Sequence, residues 1–222
     1  MKLYYDPVST SSRIVTFFLH DQAIPFDEEI VSLAAGDHAA ADFLALNPNG
    51  QVPVLVDDDG FRLTQSSAII RHIAIERGLA AYPDDPRERA RVDEAVSWFQ
   101  TSFHVFHCAL LSYTYILPQL TSLHPAVLAT MRGIGRTGSD RFLRVLDRHM
   151  IGDAPFVCGE TITLADYVGV ANVVLGGFAG LDFAEHPNVR RWLRTLQDRP
   201  GWPLAHAGFE GALAAFRSSG RD

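Results

Sequence analysis

The chain has 222 residues, 47% of them hydrophobic and 20% charged, enough for one large core or two smaller ones in an ordinary globular composition. Its formal net charge is -7 and no Lys/Arg cluster stands out, which argues against a nucleic-acid or anionic-membrane surface. Only two cysteines are present, Cys108 and Cys158, and nothing like a signal peptide precedes Asp6-Pro7; a reduced, cytoplasmic setting with free thiols is expected.

The first third of the chain alternates between strand and helix patterns. Residues 2–5, KLYY, read as a buried strand, residues 11–22 as a helix, and residues 26–31, FDEEIV, as a second strand after Ile24-Pro25. Residues 37–46 predict a short helix, cut off by the turn cluster Asn47-Pro48-Asn49-Gly50. VPVLVDDDGFRL then reads as two strands joined by an Asp-Gly turn. A third helix is expected over residues 65–77, stopped by Gly78. This order describes an α/β domain over residues 1–78.

The linker LAAYPDDPRER changes the character, and a second, all-helical domain is expected over residues 87–216. One long helix is predicted over residues 88–117, another follows Pro125, and residues 152–159 read as an irregular loop. In ITLADY, Thr163 can cap a helix with Asp166 reaching back, and Ile162 and Tyr167 occupy staple positions. Two shorter helices begin near His186 and Trp202.

Residues 95–131 contain no Asp, Glu, Lys or Arg. A membrane span needs roughly 20 mostly apolar residues, and here Gln100, Thr101, Ser102, His104, His107, Ser112 and Thr114 interrupt any such window. The reading is a helix covered by protein. Ala95, Phe99, Phe103, Phe106, Leu110, Tyr113 and Leu117 form an apolar stripe at three- and four-residue spacing. At a regular helical period, Ser97, Thr101, His104, Cys108 and Tyr115 fall on the opposite, polar but uncharged face, which suits a cleft or a two-fold subunit contact. A zinc site from His104, His107 and Cys108 is disfavoured, because no further ligand cluster accompanies them; no metal is expected.

The stretch DPVSTSSR places Ser9, Thr10, Ser11 and Ser12 in a row before an apolar helical segment. On residue type alone they are caps and turn formers, with Ser11 or Ser12 the better cap, unless one of them carries chemistry.

Four segments in this order, LYYDPVSTSSR, NPNGQVPVL, LTQSSAII and GETITLADY, resemble the glutathione transferase superfamily over nearly the whole chain. The front end looks like the theta and delta classes, while NPNGQVPVL and the downstream TSFH look more like the bacterial beta class. The resemblance implies a thioredoxin-like N-terminal domain followed by an all-helical domain, and a homodimeric detoxification enzyme. Glutathione would be the co-substrate, bound by the first domain, and small hydrophobic electrophiles the acceptors, in a pocket supplied by the all-helical domain. An isomerase, dehalogenase or ether-cleaving enzyme on the same fold, or a binding protein without chemistry, is the alternative.

The resemblance also assigns residues. Glutathione must be held by its charged ends and its thiol kept as thiolate, the true nucleophile. Ser9 falls where theta and delta patterns place the catalytic serine, and Thr10 where the beta class carries a cysteine. Ser11 and Arg13 complete that stretch; Arg13 would orient the site, with a surface charge as the alternative. Val52-Pro53 matches the cis-proline turn whose preceding residue offers its backbone to the cysteinyl part, with Gln51 and His38 near the glycine carboxylate. Gln65 and Ser66 would meet the γ-glutamyl carboxylate at a helix N-terminus, where Ser66 is also expected as the N-cap. His104 matches a beta-class histidine near the thiol, a packed structural histidine being the alternative.

Overall fold

A computed structural model of the chain describes residues 1–220. Two compact units emerge, one comprising Met1–Leu79 with Arg199–Ala212, the other Ala80–Asp198 with residues 213–220. The sequence pattern had placed residues 199–212 with the helical domain; they pack instead with the first unit.

The first unit is built on a four-stranded mixed sheet in the order β2-β1-β3-β4. Its strands are β1 (Lys2–Tyr5), β2 (Asp27–Ile30), β3 (Val54–Val56) and β4 (Arg62–Thr64). β1 runs parallel to β2 and antiparallel to β3, which is antiparallel to β4. Every residue of β2 is exposed, and its Asp-Glu-Glu sequence gives this edge charge rather than a sticky face. Helix α1 (Thr10–Asp21) follows β1, α2 (Ala41–Leu46) precedes the Asn-Pro turn, and α3 (Ser66–Glu76) follows β4. The unbroken buried run Ile14 to Leu19 explains why residues from the far end of the chain join this unit. A helix apolar on all sides must be covered on all sides. Trp202 and His206 pack edge-on against Phe17 with ring centroids 5.6 and 5.3 Å away, and Arg199 Nε donates to Asp21 Oδ2 at 2.6 Å.

The second unit holds the remaining helices. Helix α4 (Pro86–Trp98) continues into a wide-turned π-helical segment (Phe99–Ser112) and α5 (Tyr113–Ile116). Then come α6 (Pro118–Thr121), α7 (Pro125–Val145), α8 (Leu164–Val173), α9 (Pro187–Gln197) and α10 (Trp202–Ser218), whose first turns belong to the first unit. Every residue of α8 is buried. Its start carries the expected capping box: Asp166 Oδ2 accepts from Thr163 N at 2.8 Å and Thr163 Oγ1 at 3.2 Å. Asp166 Oδ1 accepts from Val157 N and Trp192 Nε1, both at 2.9 Å. Burial pushes this carboxyl above its ordinary range, against the pull of those hydrogen bonds.

The long helix departs from its expected face. In the wide-turned segment the backbone closes on the fifth residue, as where Tyr113 N–H donates to Cys108 O. Buried positions then fall at Phe99, Phe103, His107 with Cys108, and Leu111 with Ser112, a longer period than a regular helix gives. Cys108, assigned to the polar face, is therefore fully buried. No helix among the described residues is long and apolar enough to cross a membrane.

Candidate functional site

Strand directions bring the expected first-unit residues to one end of the sheet. β1 ends toward Ser9, β3 begins after Val52-Pro53, and β4 ends into Gln65-Ser66. Because β3 is antiparallel to both neighbours, with Tyr4 opposite Val54 and Val54 opposite Thr64, these three termini lie side by side. β2 is parallel to β1, so the turn carrying His38 leaves from the same end.

Asp6 organises this end, and the sequence reading did not single it out. Its Oδ1 accepts from Val8 N at 2.8 Å and Ser9 N at 3.1 Å, and Oδ2 accepts from Leu33 N at 2.9 Å in the loop after β2. The signal was there in Asp-Pro at a strand end before a hydroxyl run, a common turn device. The Asp6 turn moves the helix start forward. Ser9, not Ser11 or Ser12, is the N-cap of α1, with extended backbone and Oγ accepting from Ser12 N at 3.3 Å. Ser11 is exposed, Thr10 is buried, and Ser12 is buried with its Oγ accepting from Asp6 N at 3.2 Å. Arg13 is no surface charge: it is fully buried, its guanidinium 3.9 Å from the centroid of Phe209.

The loop before β3 is stapled by Asn47. Its Nδ2 donates to Gln51 O at 2.6 Å and its Oδ1 accepts from Asn49 N at 3.1 Å. Gly50 has φ 59°, and a Cβ there would lie 3.2 Å from His38 O, so this glycine lets the loop approach the His38 turn. His38 Nδ1 is buried without a hydrogen-bond partner among the described residues. Gln51 is exposed, and the Val52-Pro53 bond is cis. Neither the N–H nor the C=O of Val52 has a hydrogen-bond partner among the described residues.

At α3 the cap is Gln65, not Ser66. Gln65 takes φ 69°, a left-handed conformation that costs a non-glycine residue of order 1–3 kcal/mol and clusters at functional sites. No side chain caps the helix, and its first turn holds no acidic residue. Ser66, expected as the cap, is instead the first helical residue and buried; its N–H and that of Ser67 have no acceptor among the described residues. An open helix start of this kind favours an anion.

His104 belongs to the second unit and is part-buried, with Nδ1 3.0 Å from Asn172 Oδ1. His107 is fully buried, its Nδ1 2.7 Å from Ser139 Oγ and Nε2 3.0 Å from Val173 O. Burial pushes His107 down to about 4. Neither Cys108 nor Cys158 forms a disulfide, and no group of three potential metal ligands is found, among the described residues.

The family model for the glutathione S-transferase N-terminal domain matches residues 8–75. Glutathione S-transferase theta-2 of Homo sapiens is 31% identical over 204 residues, covering 86% of this chain and 78% of that protein. Glutathione S-transferase theta-1 of Bos taurus is 30% identical over 227 residues, covering 100% and 92%. Among solved structures, human glutathione transferase theta-2 in complex with glutathione and an unknown ligand superposes with TM-score 0.85 at 28% identity, covering 100% of this chain and 92% of that one. A delta-class glutathione transferase of Nilaparvata lugens gives 0.82 at 26% identity, covering 98% of each. On sequence and fold together, this chain belongs to the glutathione S-transferase family.

Proposed function

We propose that the first unit binds glutathione and that the protein transfers it to small hydrophobic electrophiles, with a thiolate stabilised by the Ser9 hydroxyl. The observation that carries this reading is the open start of α3, where Ser66 and Ser67 offer N–H groups behind the strained Gln65. A tripeptide with a carboxylate at each end needs such a place for its γ-glutamyl end. The unpaired backbone of Val52 supplies a donor and an acceptor for the peptide's middle, as an added strand would use them. His38 and Gln51 are the groups for the glycine end. Ser9 sits between these anchors in the sheet-end row and at a helix start, where negative charge is favoured.

Chemically, the protein's part is to hold the tripeptide by its ends and to lower the free energy of the thiolate. An unperturbed thiol ionises near pH 8.5, so one donor aimed at sulfur raises the nucleophile's population at neutral pH. Titration calorimetry tests the reading. Glutathione should bind in the micromolar-to-millimolar range usual for metabolite sites, and an S-alkylated glutathione should displace it. Absence of both heat and competition would overturn it.

A further inference from the structure

His104 and Cys108 both reach one amide, that of Asn172 on α8. His104 Nδ1 lies 3.0 Å from Asn172 Oδ1, and Cys108 Sγ lies 3.3 Å from the same oxygen. The other end of the amide fixes which way it points. Asn172 Nδ2 donates to Val168 O at 2.8 Å, and a backbone carbonyl can only accept. Oδ1 must therefore face the two neighbours, and an amide oxygen carries no hydrogen. Both neighbours must donate, Cys108 through S–H and His104 through Nδ1–H. A neutral imidazole has a single N–H, so Nε2 of His104 is left with its lone pair.

That nitrogen has no hydrogen-bond partner among the described residues, and the ring is part-buried while Asn172 and Cys108 are buried. We propose that Asn172 is a positioning residue: it locks neutral His104 as the Nδ1–H tautomer, so that Nε2 stands as a fixed acceptor for an O–H or N–H group of a small ligand bound by the helical unit. The ligand half of this rests on the reading that the helical unit takes the electrophile; the tautomer half stands on the hydrogen bonds alone. His107, three residues on, supplies an internal contrast. Its Nε2 faces Val173 O and must donate, so its Nδ1 accepts from the Ser139 hydroxyl, the opposite tautomer. The two histidines are thus held in opposite states by their partners.

The test is long-range proton–nitrogen correlation NMR on the full-length protein with 15N-labelled histidine, at a pH above the ordinary imidazole pKa of about 6.5. His104 is assigned by loss of its signals in His104→Gln. Nδ1–H at His104 with Nε2–H at His107 is the expected pattern. Nε2–H at His104 in the unmodified protein overturns the proposal, and this measurement requires no substitution at the buried Asn172. Asn172→Asp, which keeps an acceptor at the same place, should preserve the Nδ1–H tautomer; Asn172→Leu should release it. Phenol and toluene, alike in shape and differing by one O–H, then probe the acceptor. Phenol should move the His104 Nε2 resonance upfield as the lone pair accepts, and toluene should not. Equal response to both overturns the ligand half. Neither arm involves glutathione, so a failure of glutathione binding and a failure of this proposal give different results.

Discussion

The Ser9 oxygen accepts the Ser12 N–H at 3.3 Å, which leaves its own hydroxyl hydrogen to be donated elsewhere. One side chain can therefore cap α1 and hold a thiolate, and the two roles separate by substitution. Ser9→Ala removes cap and donor and should cost about 1 kcal/mol of stability, whereas Ser9→Gly should cost only a few tenths. On the function proposed above, both should lose about 2.7–4 kcal/mol of transition-state stabilisation, roughly a hundred- to thousand-fold in turnover, with glutathione affinity nearly unchanged because that reading assigns its charged ends to other residues. Ser12→Ala should behave oppositely: its Oγ satisfies the buried Asp6 N–H, so about 1–3 kcal/mol of stability is lost and turnover is kept in the folded fraction. Thermal melts, turnover and the ultraviolet thiolate absorbance against pH check all three. Full activity in Ser9→Gly would move the donor role to another hydroxyl. The sequence reading put the cap two or three residues late. The helix start is set by the Asp6 carboxylate folding back on Val8 and Ser9, a contact that residue types suggest only weakly.

At the scale of elements, the strand and helix order of the first unit was readable because each segment carries its own signal. KLYY and VLV are short apolar runs, Asn-Pro-Asn-Gly and Asp-Gly punctuate, and Gly78 stops α3. The long helix was readable as a helix and misread as a surface. A regular period put Cys108 on the open side, and the fifth-residue turns of Phe99–Ser112 bury it. Glycines on α7 show how closely that segment is approached. A Cβ at Gly135 would meet the Leu110 backbone at 2.7 Å, and backbone cannot rotate away. Gly133, two residues earlier on the same helix, has nothing within 4 Å. Gly135→Ala should force α7 off the wide-turned segment and destabilise by about 1–3 kcal/mol or more. Gly133→Ala should stabilise by about 1 kcal/mol, the helix preference for alanine over glycine. Denaturant midpoints of the two variants check the pair, and equal shifts would mean the close approach is not real.

For the molecule as a whole, the segment shared between the ends of the chain could not be read locally: nothing in residues 199–212 says that α1 needs a second cover. That cover also introduces a charge-sensitive group. His206 is fully buried, stacked on Trp202 with ring centroids 3.7 Å apart, and burial, reinforced by the Arg13 charge, pushes it down to about 2. His107 in the other unit is pushed down to about 4, mainly by burial. Both folded values lie below the ordinary 6.5 of an unfolded chain, so the unfolded state binds more protons and stability rises with pH. Their contribution is complete above about pH 6.5 and declines as pH falls, down to about 4 for His107 and about 2 for His206. Asp166 has the opposite sign: its raised carboxyl holds a proton more readily when folded, so acid relieves it and offsets part of the loss at the low end. At 1.36 kcal/mol per pH unit and proton, each histidine should cost about 2 kcal/mol between pH 6.5 and pH 5. His206→Phe keeps an aromatic ring against Trp202 and Phe17 and removes the proton site. Urea unfolding should therefore lose up to one proton of slope between pH 6.5 and pH 5 in this variant, with no change between pH 8 and pH 6.5, read through Trp202, which belongs to the first unit. An unchanged slope would mean that His206 already binds its proton in the folded state, and that the aromatic cage around it opens to water.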